Sequence, residues 1–410
     1  FPAAPPPAHL QSAAFATAVA CQLQLATSPQ AFLAQLKDFP DHAPPSSIEP
    51  DDRACLTFTS GSTGEPKGIN GRHRSLTHFY PWMTARFQLT NRDRFSLLSG
   101  LAHDPLQRDI FTAIWVGAEI CVPDPTRMWQ PAYLAYWLQT TGITVAHLIP
   151  SMIHVLTADG SPNDSSSLRL ALFVGEPLKR HMADQVKQIF PEVTVINLFG
   201  ASETQRAVSY HPVTWQQPDA PLLKQEIPIG RGMPDVQLLV LTAEQTLAGI
   251  GELGQLFMRS PHLALGYLGD GEKTAVSFFQ NPWRAVPGDK LYRTGDLGRY
   301  LPDGQVVFAG RRDKQVNIRG FRTELSEIEA VLVAHPAVHA AVVTAVDQDN
   351  DSTQLAAYIV IENGHATLTP QQAQAIVKEK LPLPMVPTLI SFLAEIPLTA
   401  NGKIDYRALP

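Results

Sequence analysis

The run Leu56-Thr-Phe-Thr-Ser-Gly-Ser-Thr-Gly-Glu-Pro-Lys67-Gly68 gathers the groups that hold phosphates. Gly61 and Gly64 let backbone amides turn toward an anion. The hydroxyls of Thr57, Thr59, Ser62 and Thr63 can donate to its oxygens, with Ser60 inside the same loop, and Lys67 adds a full positive charge. The same composition also describes a flexible surface turn. A Walker phosphate loop is excluded, because that loop needs glycine before its lysine and Ser or Thr after it, whereas Pro66 and Gly68 flank Lys67. An apolar, strand-like run leads into the loop, and a helix is expected beyond the next one.

Further motifs follow in order: Asn197-Leu-Phe-Gly-Ala-Ser-Glu203-Thr204, Gly251-Glu-Leu-Gly254, Tyr292-Arg-Thr-Gly-Asp296-Leu297, Gly310-Arg-Arg-Asp313-Lys-Gln-Val-Asn-Ile-Arg-Gly320, and Asn401-Gly-Lys403-Ile404-Asp405. Together with the glycine-serine loop they make the chain resemble the adenylate-forming (ANL) superfamily. Within it, the chain resembles the amino-acid adenylation domains of nonribosomal peptide synthetases. The resemblance covers everything except about the first fifty residues. It implies ATP and Mg²⁺ as cofactors, aminoacyl-AMP with release of pyrophosphate as the first product, and transfer to a carrier domain's phosphopantetheine thiol as the second step.

Activating a carboxylate with ATP needs a cradle for the leaving pyrophosphate, a divalent cation and neutralisation of charge at the α-phosphate. The resemblance assigns these parts. Thr59, Ser60, Gly61, Ser62, Thr63, Gly64 and Lys67 hold the β- and γ-phosphates. Glu203 is the Mg²⁺ carboxylate, an oxygen ligand suited to a hard cation that keeps several waters; alone, it would read as a solvated side chain. Thr204 contacts the α-phosphate, while Phe199, where Tyr is usual, flanks adenine beside Gly200. Asp296 accepts both ribose hydroxyls, assisted by Arg311. Lys403 reaches the carboxylate oxygens and α-phosphate, then leaves as a small domain rotates about Asp313. Asn317, Thr323 and Ser326 depart from the usual Lys, Ile and Gly in the segment used for thioester formation.

Leu101-Ala-His-Asp104-Pro-Leu-Gln-Arg108-Asp-Ile-Phe111 carries the substrate reading. In amino-acid-activating relatives an aspartate at the place of Asp104 pairs with the substrate ammonium. The remaining pocket wall falls on Pro105, Arg108, His147, Leu172, Val174, Leu198, Arg206 and Ala207. Arginines in an apolar pocket suit an anion, since a guanidinium fork pairs strongly with a carboxylate. An amino acid with an acidic side chain is expected, unless the arginines pair internally, Arg108 with Asp109 for instance. Gly71-Arg-His73, Pro81-Trp82-Met83 and the 99–111 stretch resemble most closely the adenylation domains of α-aminoadipate reductases, although Leu172 and Leu198 depart from that branch's Phe and Met. No carrier serine motif and no dinucleotide glycine fingerprint is present, so reduction is not expected of this stretch. A free-standing acyl-CoA ligase and an inactive adenylation-like scaffold are the competing readings. Asp104 disfavours the ligase, and retention of Lys67, Glu203, Asp296 and Lys403 disfavours the scaffold.

These residues need a layered framework. Strands are expected at Arg94–Ser99, Ala118–Val122, Thr144–Ile149, Leu170–Val174 and Val193–Asn197, with helices at Ala132–Thr140 and Leu178–Ile189 between them, which argues for a substantially parallel α/β sheet. From about 225 to 309, short strands with Gly and Asp turns read as a barrel or meander. Residues 311–410 read as α+β, with helices at Leu325–Ala334 and Gln371–Lys380. The expected fold class is therefore α/β: a large N-terminal domain of layered sheets plus a β-barrel, with a small mobile α+β C-terminal domain. The expected divisions are 1–50 (a proline-rich tether, then a helix at about Leu10–Lys37), 51–311 (core) and 312–410 (lid). The chain opens on Phe1 and carries only about fifty residues before the phosphate loop, so it reads as a piece of something longer with its first subdomain truncated.

At 410 residues and 44% hydrophobic composition a large core is possible. A net charge of −6 without a basic stripe disfavours nucleic acid as a partner. Three scattered cysteines fit a reducing cytosol, so a cytoplasmic location is expected. No apolar run approaches the ~18–20 residues of a membrane span.

Overall fold

The residues on either side of the glycine-serine run pair with each other. β1 (Arg53–Thr59) pairs antiparallel with β2 (Lys67–Arg72), so that Thr59 faces Lys67 and Leu56 faces Asn70. The expected helix does follow, at His73–Thr77, but β2 comes first. Its sequence Lys-Gly-Ile-Asn-Gly-Arg carries no strand alternation of its own and is recruited by pairing. The computed structural model describes residues 47–59, 67–100, 105–158, 166–215, 226–284, 286–312, 315–318, 321–347, 353–362, 368–397 and 404–410. The anticipated tether and the helix at about Leu10–Lys37 lie outside them.

A seven-stranded sheet is the centre of the core. It contains β3 (Arg94–Ser96), β4 (Glu119–Cys121), β5 (Val145–Leu148), β6 (Leu170–Phe173), β7 (Thr194–Ala201), β8 (Arg206–Pro212) and β9 (Arg231–Gly232), in the order 4-3-5-6-7-8-9. The five strands up to β7 run parallel, and β8 and β9 return antiparallel. Each of the five expected strands is present, shorter than expected at β3 and longer at β7. Strands β5 and β6 are buried along their whole length, as a sheet covered on both faces requires.

The two-residue period of a strand divides this sheet into two cores. Val145, Leu170, Leu172, Ile196 and Leu198 pack on one side with Phe79, Met83 and Phe87 of α1 (Phe79–Phe87) and Ala113 of α2 (Pro105–Val116). Ala146, Leu148, Ala171, Phe173 and Val195 pack on the other with Leu134 and Leu138 of α3 (Tyr133–Thr141) and Met182, Val186 and Ile189 of α4 (Arg180–Ile189). The helix α2 is unusual in burying Arg108 and Asp109 on its inner side along with Thr112 and Ala113. That charged turn is what the helix brings to the site.

β10 (Gln237–Leu241), β11 (Gly254–Arg259), β13 (Phe278–Gln280), β14 (Lys290–Tyr300) and β15 (Val306–Arg311) make a five-stranded antiparallel sheet in the region read as barrel or meander, and β12 (Gly266–Tyr267) extends the β1–β2 hairpin. A short helix, α5 (Gly271–Ser277), is capped by the Asp270 carboxylate, which accepts from the Lys273 amide. After Arg312, the ribbon β16 (Gln315–Ile318) and β17 (Phe321–Glu324) leads into a separate α+β core. There α6 (Leu325–Val333) and α7 (Pro370–Lys380) pack on a sheet of β18 (Val338–Asp347), β19 (Thr353–Ile361) and β20 (Leu389–Leu393). Both expected helices appear, and α7 starts where Thr369 and Gln372 form a capping box ahead of Pro370. No helix among the described residues is long and apolar enough to cross a membrane.

Candidate active site

The C-terminal ends of β5, β6 and β7 open into a cavity of about 350 Å³, where ligands bind in open parallel sheets. Its wall includes Pro105, Arg108, His147, Val174, Leu198, Phe199, Gly200, Arg206, Asp296 and Arg311, so ten sequence-predicted residues from distant segments meet there. The ribbon β16–β17 adds Gln315, Asn317 and Phe321. Leu172 does not reach the wall: it is fully buried in the core one step below, opposite His147 in the β5–β6 register. The backbone of Ala207 pairs with Gly200. Ser60, Gly61, Ser62, Thr63, Gly64, Asp104, Asp313 and Lys403 lie outside the described residues.

At one end of the cavity Asp296 and Arg311 face each other across β14 and β15. Their ion pair closes at 2.5 Å with both side chains largely buried. The Asp296 amide donates to the Thr294 hydroxyl, so the carboxylate sits on a fixed turn of strand. Phe199 and Phe308 supply apolar surface beside it. A carboxylate with one oxygen on an arginine keeps acceptor capacity for a vicinal diol.

The turn between β7 and β8 holds Glu203 and Thr204, both almost completely buried. Glu203 accepts the Tyr267 hydroxyl at 2.8 Å. The Thr204 hydroxyl is engaged inside the turn: it donates toward the carbonyls of Ala201 (2.7 Å) and Arg206 (2.8 Å) and accepts the Ala201 amide at 3.0 Å. It is absent from the wall, which takes Ser202 and Gln205 instead. Gln205 adopts a left-handed backbone at φ 64°, uncommon for a side chain of its size, and is fully buried. Its amide donates to the Ser202 carbonyl and its oxygen accepts from Cys55 on β1. A Cβ at Gly71 would lie 2.1 Å from that oxygen, so glycine is what lets the hairpin approach this turn. Sequence reading missed Gln205 and Tyr267; the Gly266-Tyr267 pair after the 251–254 motif was the available signal.

At the other end, Asp109 is a hub. Its carboxylate accepts the Ser99 hydroxyl at 2.7 Å, lies 3.0 Å from His147 Nδ1 and pairs with Arg108 at 3.4 Å. Burial opposes ionisation, but the contact with His147, followed by Arg108 and Ser99, holds the carboxyl below the usual carboxylate range. Burial and then the Arg108 charge pull His147 down to about 4, so it is neutral at pH 7. The internal pairing of Arg108 with Asp109 left open by the sequence is therefore present. Arg206 differs: it donates to Gln107 Oε1 at 3.0 Å and to the Tyr80 hydroxyl at 3.1 Å, and to its neighbour's carbonyl at Gln205. It pairs with no carboxylate among the described residues, although it is only 5% exposed.

The AMP-binding enzyme family model matches residues 5–268, and the AMP-binding enzyme C-terminal domain model matches residues 327–403. The chain is 40% identical to an L-2-aminoadipate reductase of Schizosaccharomyces pombe, over 88% of this chain and 29% of that protein. It is 35% identical to tyrocidine synthase 3 of Brevibacillus parabrevis, over 88% of this chain and 5% of that protein. It thus spans less than a third of these curated relatives. Among solved structures, the Vibrio cholerae adenylation domain AlmE in complex with glycyl-adenosine-5′-phosphate superposes with TM-score 0.75 at 28% identity, covering 87% of this chain and 66% of that one. An NRPS protein containing adenylation and PCP domains shares the fold, with TM-score 0.77 at 24% identity over 93% of this chain and 65% of that one.

Proposed function

The chain belongs to the AMP-binding enzyme family, and from that premise we propose that it activates an α-amino acid with an acidic side chain, α-aminoadipate-like, at the expense of ATP. A carboxylate oxygen of the amino acid attacks the α-phosphorus. The new O–P bond forms as the bond to the bridging oxygen breaks, pyrophosphate leaves, and aminoacyl-AMP remains. Asp296 and Arg311 orient the ribose, Phe199 flanks the base, and Lys67 with the preceding loop holds the β- and γ-phosphates. Asp104 takes the substrate ammonium, and Lys403 neutralises charge at the reacting carboxylate and α-phosphate. Thr204 acts by shaping its turn, since its hydroxyl is consumed there.

Glu203 suits Mg²⁺ of the kind held mainly by phosphates and water. It is a single carboxylate, and no group of three or more metal-ligating side chains gathers among the described residues. When bound, the ion would offset charge on the phosphate oxygens. The second step we propose is transfer of the acyl group to a carrier domain's phosphopantetheine thiol, a reading supported by the fold shared with a protein that joins adenylation and PCP domains.

The observation that carries the substrate assignment is Arg206. A buried guanidinium with no carboxylate partner among the described residues, on a cavity shared with Asp296, is a receptor for the substrate's own carboxylate. Amino-acid-dependent exchange of labelled pyrophosphate into ATP, over the common amino acids plus α-aminoadipate, tests this. A maximum for an acidic side chain is expected. A maximum for a neutral one would discard the Arg206 reading and keep the chemistry, while silence from a folded chain would discard both.

A further inference from the structure

Lys67 opens β2 and stands opposite Thr59 in the β1–β2 register. Its ammonium pairs at 3.4 Å with Glu324, the last residue of the β16–β17 ribbon, and the two side chains are 16% and 13% exposed. Glu324 also accepts from the Gln315 amide at 2.7 Å. A second ammonium stands near the first: Lys273 is carried by α5, which the Tyr267 amide ties to β12 by donating to Thr274, and β12 pairs with β2, so that Lys273 feels the Lys67 charge. Lys273 is seated 5.4 Å from the centre of the Tyr267 ring, whose hydroxyl is the one bonded to Glu203.

Two like charges set near each other repel, and this pair is held by β2 on one side and by the capped turn of α5 on the other. Glu324 and Asp270 face the pair as its anions. Burial, and then Lys67 itself, pull Lys273 down to about 8 against the opposing pull of Asp270 and Glu324. A polyphosphate carries several negative charges on closely spaced oxygens and would satisfy both ammoniums at once, which a single carboxylate does not.

We propose that Lys273 is a second phosphate-binding cation beside Lys67, and that Glu324 occupies the pair until the polyphosphate displaces it. The inference rests on the adenylation reading for its physiological ligand. Because Glu324 belongs to the ribbon of the small subdomain, phosphate and ribbon compete for the same two charges. Binding of one weakens the hold of the other by the same factor.

Calorimetric titration of inorganic pyrophosphate into the full chain tests the site without requiring turnover. Lys273→Gln is expected to weaken pyrophosphate binding about tenfold, as loss of one charge-assisted contact does, with Lys273→Arg retaining most of it. Glu324→Gln is expected to tighten binding about fivefold by removing the internal competitor. In the exchange reaction, Lys273→Gln should raise KM for ATP and pyrophosphate and leave KM for the amino acid as it was. Wild-type affinity in Lys273→Gln, unchanged or weaker affinity in Glu324→Gln, or no pyrophosphate binding by the unaltered chain would each overturn the proposal. A chain that binds pyrophosphate in this pattern but exchanges with no amino acid would sink the adenylation reading and leave the phosphate pair standing.

Discussion

At the Asp109 hub, buried charge is settled within one subdomain: Arg108, His147 and Ser99 converge on one carboxylate, all from β3, α2, β5 and their connections. At the Lys67 hairpin it is settled across subdomains, with Lys67 of the core paired to Glu324 of the ribbon and Lys273 nearby. On the proposed reading, the first arrangement asks nothing to move when substrate arrives and leaves Arg206 as the waiting charge. The second must exchange an internal anion for an external one. Selectivity is accordingly expected to reside in a preset pocket, and nucleotide binding to be tied to the position of the small subdomain.

The contrast can be broken at several points. Lys403, proposed to neutralise charge at the reacting carboxylate and α-phosphate, gives the largest expected effect: Lys403→Ala should lower amino-acid-dependent exchange by about three orders of magnitude while ATP still binds, and undiminished exchange would remove it from the reaction. Next is Arg206→Gln, expected to lower kcat/KM for an acidic amino acid about a hundredfold and for a neutral one of equal length only slightly. Equal losses for both would show Arg206 to be structural. Asp109→Asn should cost about 3 kcal/mol of stability, because it removes the carboxylate paired with a buried guanidinium, and denaturant unfolding measures it. A cost near zero would mean the hub is not what balances Arg108.

The smallest effect sharpens the same point through pH. His147 has a folded value of about 4 against an unfolded one of about 6.5, so the unfolded chain binds the extra proton first. Its contribution is complete above pH 6.5 and is lost as pH falls toward 4. Between pH 7 and pH 5 the loss should be about 2 kcal/mol, and His147→Gln should flatten that part of the stability profile. Asp109 also loses its contribution on acidification, but only below the usual carboxylate range, so the two windows separate. A profile unchanged by His147→Gln would place the acid sensitivity elsewhere, the half-buried His78 being another histidine held low.

Much of the fold was legible because the parallel strands announce themselves as short apolar runs, Val145–Leu148 and Leu170–Phe173 among them, between amphipathic helices. The Asp296–Arg311 corner was legible too, since both residues sit in contiguous motifs on adjacent strands. What escaped depends on contacts distant in sequence. Strand β2 exists because β1 and β12 pair with it, not because Lys67–Arg72 alternates. Glu324 and Lys67 are 257 residues apart, and nothing local marks either as the other's partner. The Thr204 hydroxyl looked available for a phosphate, yet a three-residue turn claims it. For Arg108 the sequence leaves open both an anion-receptor role and internal pairing with Asp109, because it shows the charges and not their directions; the inner side of α2 buries Asp109 with it.

The most direct measurement is the ratio of pyrophosphate-exchange efficiencies for α-aminoadipate and its neutral, length-matched analogue norleucine, on the full chain. A preset pocket with Arg206 waiting predicts a preference for the acid of about a hundredfold or more. Equal efficiency, or preference for norleucine, would contradict the account at its centre.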